Sequence, residues 1–506
     1  MSRFFVTTPI FYVNAAPHIG HCHTIVLADA LHRFHRLKTP DSDTLFVTGT
    51  DEHGLKVQKA AALAKKKEQS FCDDVSHRFR DLCKLVNCSN TGFIRTSEDR
   101  HKSTVQKFWA TLEERGHIYK GSYKGWYSTI DEAFVADVQE VEVDQQKLTV
   151  DVETGKPVEW VEEENYLFAL SRFKGDLLHW LDNVPDLVYP AKFHKILRSL
   201  VEEDLGDLSV SRCSQRVRWA IPVPGDDSQS IYVWLDALVN YLTASGYPNV
   251  EHWPPSVQVI GKDILKFHGV YWPAFLLAAG LEPPRRLFCH SHWTVDGRKM
   301  SKSSGNVVDP IGLADKVTAD GLRYFLLRHA VPHSDTNFNA LKMTRILNSE
   351  LAGCYGNLLS RCTGKNINTN HMIPGMPREE SEFSTISRRL LEQSMALPAK
   401  VGPHFEAGDF YLGVDLIHAT LRDTNQYIDL TKPWMLGEER ALVLHTVFEV
   451  LRTSSILLQP IVPVISDRVL TELRVESRLW KDAETHRNED IPLGKSGGLV
   501  FGKLET

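Results

Sequence analysis

The motif Pro17-His18-Ile19-Gly20-His21 constrains the fold of this 506-residue chain more than any other stretch. The apolar run before it, residues 4–6, predicts a buried strand, and the apolar residues after it recur at positions 25, 28, 31 and 34, which is one face of a helix. A strand that turns directly into a helix indicates an open α/β sheet, in which ligands bind at the carboxyl ends of the strands. A helix N-terminus at that edge offers free N–H groups to phosphate.

The two histidines and the glycine suit a nucleotide at this turn. His18 and His21 can donate hydrogen bonds to a triphosphate, and Gly20 lets a phosphate or a base approach the backbone closely. Short motifs of this kind also recur by chance, so two partly exposed histidines at a helix start are an open alternative.

A second motif, Lys299-Met300-Ser301-Lys302-Ser303, lies far along the chain and is followed by Ser304-Gly305-Asn306. Alone it fits a solvated basic loop, the usual place of a short charge run. Two lysines among small residues also suit a loop that closes on a polyphosphate. Together the two motifs resemble the HIGH and KMSKS signatures of class I aminoacyl-tRNA synthetases, and from about residue 4 to about 480 the chain is similar to the methionyl-tRNA synthetases.

The resemblance implies an α/β fold with three parts: a Rossmann-like parallel-sheet catalytic domain, an inserted α+β connective domain and a C-terminal α-helical anticodon-binding domain. Several domains also fit the length, because single cores stop growing near 250–300 residues. The expected divisions are 1–115 and 226–290 for the two catalytic halves, 116–225 for the insert, 291–340 for the KMSKS loop and stem-contact region, and 341–506 for the helical domain and tail.

Composition indicates an ordinary soluble globular protein. The formal charge of −6 shows no overall basic surface, so an RNA partner must be held by local patches. No uninterrupted apolar run approaches the ~20 residues of a membrane span, and we expect no insertion into a membrane. The eight cysteines include no Cys-x-x-Cys pair, which predicts reduced thiols in a reducing compartment.

Several short sequence segments, such as Trp293-Thr294-Val295, resemble the animal mitochondrial form of the family. The resemblance therefore implies a mitochondrial matrix enzyme, with bacterial cytoplasm as the alternative. The first strand begins almost at once, which leaves no room for a targeting segment in this chain. The absence of a C-terminal dimerisation appendage agrees with the animal mitochondrial form, and we expect a monomer.

Two further predicted strands end in glycine and an acid, as the first ends in the histidine motif. Residues 44–48 lead to Asp51, which the resemblance matches to the substrate ammonium; a helix N-cap is the alternative. Residues 257–260 lead to Gly261 and Asp263. Gly261 suits close approach of the nucleotide, and Asp263 could accept hydrogen bonds from ribose hydroxyls.

The run from Tyr232 to Tyr241 predicts a helix with one apolar face, which ordinarily packs in a core. The resemblance matches that face to the methionine pocket, where aromatic rings contact the thioether sulfur. It also matches Ile10 and Tyr12, which could instead cap the sheet, and His268, which could instead be a structural histidine in the core. The implied methionine-binding residues are Ile10, Tyr12, Asp51, Trp234, Ala237, Leu238, Tyr241 and His268.

In the insert, residues 119–127 and 138–152 alternate like strands, and we expect Glu-rich helices from Glu162 onward. Many relatives carry zinc-binding Cys-x-x-Cys pairs there. This chain has Ser128 and Asp131 at the corresponding places, and a structural zinc needs four soft ligands. We therefore expect no zinc and no other metal held by the protein.

Helices are expected over residues 319–328 and 340–361 and onward to about residue 480, with an exposed loop at 366–382 and a tail that wraps or frays. By resemblance, Asn357, Arg361, Pro433 and Trp434 match anticodon contacts. An amide, a guanidinium and an aromatic face are what single-stranded bases require. Without the resemblance, a helix surface and a packed tryptophan would explain them.

The implied reaction is activation of methionine by ATP, with Mg²⁺ as phosphate counter-ion, and transfer to the terminal adenosine of tRNA(Met). The methionine carboxylate attacks the α-phosphorus itself, so catalysis needs positioning and charge stabilisation but no protein nucleophile. His18, His21, Lys299 and Lys302 are assigned to the phosphates. The remaining implied ATP contacts are Gly20, Gly261, Asp263, Met300, Ser301 and Ser303.

Other classes of function fit less well. Isoleucyl, valyl and leucyl synthetases would carry an editing insert of well over a hundred residues, and a cysteinyl enzyme would need a zinc site. Other nucleotidyltransferases with the HIGH motif are shorter. A catalytically inactive tRNA-binding homologue is the alternative of a different class, and the presence of both histidines and both lysines argues against it.

Overall fold

The computed structural model describes residues 2–128, 133–135, 138–143, 146–152, 155–203, 205–300, 305–377 and 381–505. Its centre is a seven-stranded sheet in which every described pair of neighbours is parallel. The strands run in the order Val188–Tyr189, Leu287–His290, Val257–Gly261, Arg3–Thr7, Asp43–Asp51 and Phe11–Tyr12, and Gly92–Arg95 pairs with Asp43–Asp51. The predicted α/β class is confirmed.

The first strand lies in the middle of this sheet. Val6 is opposite Val257 on one side and Phe46 on the other, and Phe5 and Val6 are fully buried. Because all these strands run the same way, their carboxyl ends meet at one edge. The polar residues at and after the strand ends therefore lie along that edge.

The first helix, Ile19–Lys38, begins at the histidine motif, six residues before position 25, where the apolar periodicity starts. Positions 25, 28, 31 and 34 are buried as expected, but so are Val26, Leu27 and Ala30 on other faces. The sheet covers one side of this helix and C-terminal helices cover another, so the three share one core. Its Asp29 forms a fully buried ion pair with Arg323, whose guanidinium also donates to the carbonyls of Pro460 and Ile461.

Three helices and a strand follow before residue 115. They are Leu55–Leu63, Glu68–Leu85, Gly92–Arg95 and Asp99–Glu114.

The insert is built on a long antiparallel pair, Ile118–Ser128 with Glu159–Phe168. The expected helix from Glu162 is wrong, because this segment alternates inward at Val161, Asn165 and Leu167. Glu162 faces outward and pairs with Lys124 of the neighbouring strand at 2.5 Å. The remaining elements of this region are Ala133–Val135, Val138–Val143, Gln146–Asp151, Leu170–Phe173, Lys174–Asn183, Ala191–Glu202 and Leu208–Ser209.

Strand Val188–Tyr189 lies within residues 116–225 but belongs to the main sheet, where it pairs with Leu287–His290. The chain then forms a small sheet from Ser211–Cys213, Pro222–Val223 and Asp226–Ile231 and enters the helix Val233–Ala244, called here the pocket helix. The second catalytic half continues through Lys262–Ile264, the π-helix Phe267–Tyr271 and Trp272–Ala279. Strands Trp293–Val295, Arg298–Lys299 and Thr336–Asn337 form another small sheet beside helices Pro310–Val317 and Ala319–His329.

The C-terminal region is helical, as predicted. Its elements are Ala340–Ile346, the π-helix Leu347–Gly356, Asn357–Thr363, Ser384–Met395, Leu397–Ala407, Phe410–Thr431, Pro433–Met435, Arg440–Leu458, Pro463–Glu472 and Trp480–Glu484. Helix Arg440–Leu458 is long and apolar enough to cross a membrane, but 94% of its most apolar window is buried in the protein. It is the central helix of this domain's core.

The expected exposed loop at 366–382 is partly anchored. Met372–Ile373 pairs with Ile491–Pro492 of the tail, and Ile373 is buried. The tail therefore wraps: further on, Val500 and Phe501 are buried, and the Asn348 side chain makes two hydrogen bonds to the backbone of Leu504. All eight cysteines are free thiols, as predicted.

Candidate active site

The histidine motif caps the first helix with its own side chains. Nδ1 of His18 accepts a hydrogen bond from the Gly20 N–H at 3.0 Å, and Nδ1 of His21 accepts one from the His18 N–H at 3.1 Å. The two imidazoles stack at 3.8 Å between centroids. A Cβ on Gly20 would lie 2.8 Å from Cε1 of His18, so the glycine is required to make room for this ring.

Those caps fix the tautomer of both rings. Since Nδ1 accepts, the proton of each neutral imidazole is on Nε2, which is left as a donor. Burial, as the largest cause, lowers the pKa of His18 to about 4 and that of His21 well below its ordinary value. Both rings are therefore neutral N–H donors at pH 7, which suits an anionic ligand at a helix N-terminus.

Asp51 lies at the end of the second strand, next to the firmly anchored Glu52. Asp51 is buried and its carbonyl accepts from the Val13 N–H, so it closes the strand and is not a helix N-cap; the cap of the next helix is Gly54. Glu52 is fully buried and bound by both guanidinium arms of Arg95, at 2.7 and 2.9 Å. This rigid anchoring holds Asp51 at the sheet edge.

The third strand end places Asp263 among positive groups. Oδ1 of Asp263 accepts from Nε2 of His292 at 3.1 Å, and Nζ of Lys299 lies 3.8 Å from Oδ2. Desolvation raises the pKa of Asp263, but His292 and Lys299 outweigh it and hold that pKa well below its ordinary value. A Cβ on Gly261 would lie 2.8 Å from Oδ1 of Asp263, so Gly261 is required for this carboxylate to fold back over the strand end.

The lysine motif reaches the histidine motif through Met300, whose Cε is 3.8 Å from where a Cβ on Gly20 would stand. Lys299 is 69% exposed beside Asp263, and the Nδ2 amide of Asn306 donates to its carbonyl. Residues Ser301, Lys302 and Ser303 lie outside the described residues. The two motifs, 278 positions apart, thus meet at one edge of the sheet.

The pocket helix presents the predicted face. Trp234 stacks on Phe267 at 3.6 Å between centroids, and the hydroxyl of Tyr241 is 2.9 Å from Nε2 of His268. Nδ1 of His268 donates to the Ile264 carbonyl, which leaves Nε2 to accept from the tyrosine. Burial lowers the pKa of His268 to about 4, so the ring is neutral at pH 7.

Residues of this face are packed in the core. Leu238 and Tyr241 are 1% exposed and belong to a core cluster, and Ala237 is 6% exposed. Near the first two strands, Cγ2 of Ile10 would lie 2.9 Å from a Cβ built on Gly49, and the Lys56 ammonium lies 5.4 Å from the centre of the Tyr12 ring.

Four further residues that make contacts at these strand ends were not predicted from the sequence: Glu52, His53, Asp236 and His292. Each makes its contact across a long sequence separation; His53 and Asp236, for example, are 183 positions apart. Only the run Asp51-Glu52-His53-Gly54 directly after a strand signalled that several polar side chains would cluster there.

The predicted anticodon residues form a second group in the helical domain. Asn357 and Arg361 share helix Asn357–Thr363, with Asn357 exposed. Arg361 binds Asp429 at 2.8 Å and lies 5.8 Å from the centre of the Trp434 ring. Trp434 is 45% exposed, whereas Pro433 is buried. The arrangement presents an indole face beside a guanidinium.

Among the described residues, no three His, Cys, Asp or Glu side chains form a group that could hold a metal ion. Ser128 is buried at the end of its strand, and Asp131 lies outside the described residues. Beside this strand end, the Arg212 guanidinium lies 5.4 Å from the Tyr127 ring and 4.3 Å from the Tyr232 ring.

Comparisons with known proteins identify one family. The family model described as "tRNA synthetases class I (M)" matches residues 4–363. The chain is 47% identical to the mitochondrial methionine–tRNA ligase of Bos taurus over 100% of this chain and 91% of that protein. The Homo sapiens mitochondrial ligase is also 47% identical, over 99% and 91%. A solved structure of Mycobacterium tuberculosis methionyl-tRNA synthetase in complex with methionyl-adenylate superposes with a TM-score of 0.93 at 36% identity, covering 99% of this chain and 100% of that one.

Proposed function

Because the chain belongs to the methionyl-tRNA synthetases of class I, we propose that the strand-end site is where it forms methionyl-adenylate. The enzyme activates L-methionine with ATP, releases pyrophosphate and transfers the methionyl group to the 3′-terminal adenosine of tRNA(Met). One observation supports this assignment most strongly. Met300 of the lysine motif lies close to Gly20 of the histidine motif, and its neighbour Lys299 lies beside Asp263.

The phosphates bind at the start of the first helix. Nε2–H of His18 and of His21 donates to the triphosphate, since each Nδ1 is occupied by a backbone N–H. Lys299 and Lys302 neutralise the charge that develops on the leaving pyrophosphate. By the family motif, Met300, Ser301 and Ser303 are assigned to ATP contacts, and Mg²⁺ arrives bound to the ATP phosphates as their counter-ion.

The nucleoside and the amino acid occupy neighbouring strand ends. Asp263 accepts from the ribose hydroxyls and Gly261 lets the nucleotide approach. The Asp51 carboxylate binds the methionine ammonium. The thioether lies against the pocket helix and the opposing loop, contacting Ile10, Tyr12, Trp234, Ala237, Leu238, Tyr241 and His268.

The helical domain binds the anticodon of tRNA(Met). Trp434 offers its indole face for stacking, and Asn357 and Arg361 offer hydrogen bonds to base edges. Pro433 fixes the backbone that presents the indole.

We place the enzyme in the mitochondrial matrix, because the Bos taurus and Homo sapiens relatives are mitochondrial ligases. The alternative is bacterial cytoplasm, and localisation of the tagged full-length protein in its own cells separates the two. We propose a monomer, which light scattering of the purified protein measures.

Charging assays test the function as a whole. With ATP and methionine, a tRNA(Met) transcript carrying the CAU anticodon should be methionylated, and the same transcript with another anticodon should be charged at least about tenfold more slowly. Equal charging of both transcripts would contradict the anticodon site. No charging of either, by folded protein that binds tRNA, would instead indicate an inactive homologue.

A further inference from the structure

A buried cluster of one carboxylate and two imidazoles connects the pocket helix to the loop that follows Asp51. Oδ2 of Asp236 is 2.7 Å from Nδ1 of His53, and Oδ1 is 2.7 Å from Nε2 of His101. The exposed fractions of the three side chains are only 1%, 2% and 0%. None of them has a role in the reaction described above.

The cluster joins three elements. Asp236 belongs to the pocket helix, one residue before Ala237 and two after Trp234. His53 lies two residues after Asp51 on the loop that ends the second strand. His101 lies on helix Asp99–Glu114, and its other nitrogen contacts Thr243 at the far end of the pocket helix.

The two hydrogen bonds therefore do different things. The bond to His53 ties the pocket helix to the loop that carries Asp51, so it spans the two halves of the methionine site. The bond to His101 ties the same helix to a neighbour that contributes no residue to that site. Burial opposes ionisation of Asp236, but the charge of His53 and the hydrogen bonds from both imidazoles prevail and lower its pKa to about 2.

We propose that Asp236 is a positioning residue which, through His53, sets the separation between the Asp51 carboxylate and the thioether pocket. Methionine is then recognised as one rigid unit, with its ammonium and its side chain held at a fixed spacing. The inference rests on the proposed methionine site. A misplacement of about 1 Å between two binding groups can cost on the order of 10²-fold in rate.

Substitutions at His53, His101 and Asp236 separate the effects of the two hydrogen bonds. His53→Leu removes the donor, whereas His53→Asn keeps an amide N–H close to where Nδ1 stood. His101→Leu is the matched control, because it breaks the other bond to the same carboxylate. Asp236→Asn weakens both bonds without changing the volume.

The readout is ATP–pyrophosphate exchange, with kcat/KM measured separately for methionine and for ATP, and a thermal melt of each variant. His53→Leu and Asp236→Asn should lower kcat/KM for methionine by about 10- to 100-fold and change KM for ATP less than about twofold. His53→Asn should recover most of that loss. His101→Leu should lower the melting temperature while changing kcat/KM for methionine less than about threefold.

A double-mutant cycle adds an independent test. If His53 acts by placing Asp51, the loss from Asp51→Asn should be markedly smaller in the His53→Leu background than in the wild type. Additive losses would overturn the proposal, as would equal effects of His53→Leu and His101→Leu on methionine kcat/KM. An inactive wild-type protein would instead refute the proposed function. Should Asp236→Asn fail to fold, the two His53 variants decide alone.

Discussion

In the proposed phosphate site, His18 and His21 act as donors through Nε2, because each Nδ1 already accepts a hydrogen bond from a backbone N–H. An asparagine at position 18 would keep an acceptor near Nδ1 and remain a good N-cap, but it would lose the Nε2 donor. His18→Asn should therefore melt near the wild-type temperature while its exchange rate falls about 10²- to 10³-fold, as when one preorganised donor is removed. Exchange near the wild-type rate would refute a phosphate role for this ring.

The proposed role of Lys302 can be tested by removing its charge. If Lys299 and Lys302 neutralise charge mainly in the transition state, Lys302→Ala should lower kcat by about 10²-fold or more with little change in methionine KM. Single-turnover formation of the adenylate measures this directly. An unchanged rate would remove Lys302 from the catalytic set.

Individual site residues were predictable only where a local pattern marks them. His18, Asp51 and Asp263 each lie at or after a strand end, and the parallel sheet brings all such ends together. Glu52, His53 and Asp236 were not predictable, because their roles depend on partners far away in sequence. His292 was missed because it reaches Asp263 from the next strand's loop.

At the scale of elements, the Pro433–Met435 turn presents Trp434 at the surface of the helical domain. Base–aromatic stacking contributes roughly 1–3 kcal/mol per base. Trp434→Ala should weaken productive tRNA binding by about one to two orders of magnitude while tRNA-independent exchange stays near wild type. A parallel loss of both activities, in a protein that melts normally, would place Trp434 in communication with the active site and refute the anticodon role.

Elements were predicted best where the apolar pattern is strong. The first strand and helix follow from periodicity, and the helix begins at the histidine motif as expected, with His18 and His21 supplying an unusual cap. Glu162 was assigned to a helix since glutamate is a helix former, but pairing with the strand Ile118–Ser128 overrides that propensity.

For the whole molecule, buried neutral histidines predict sensitivity to acid. Burial, as the largest cause, lowers the pKa of His418 from 6.5 to about 4. The unfolded chain therefore takes up this proton first, and the contribution to folding stability is lost as pH falls from 6.5 to about 4. For this fully buried ring the loss is about 3 kcal/mol. Denaturant unfolding at pH 7.5 and pH 5 should show a fall in stability that is smaller in His418→Leu; an identical pH dependence of the variant would contradict the shift.

The insert must keep its shape by its own packing, given Ser128 and Asp131 where relatives carry thiolates. Metal analysis of the purified protein should find no stoichiometric zinc. Loss of activity with a zinc-selective chelator, with Mg²⁺ kept in excess, would overturn this expectation.

If the two motifs form one site that activates methionine at the sheet edge, ATP–pyrophosphate exchange must depend on the amino acid supplied. Wild-type protein should exchange label rapidly with methionine and negligibly with isoleucine, leucine, valine or cysteine. His18→Asn and Lys302→Ala should both reduce the methionine-dependent rate by about two orders of magnitude. Exchange that does not depend on methionine, or that survives both substitutions, would contradict the account.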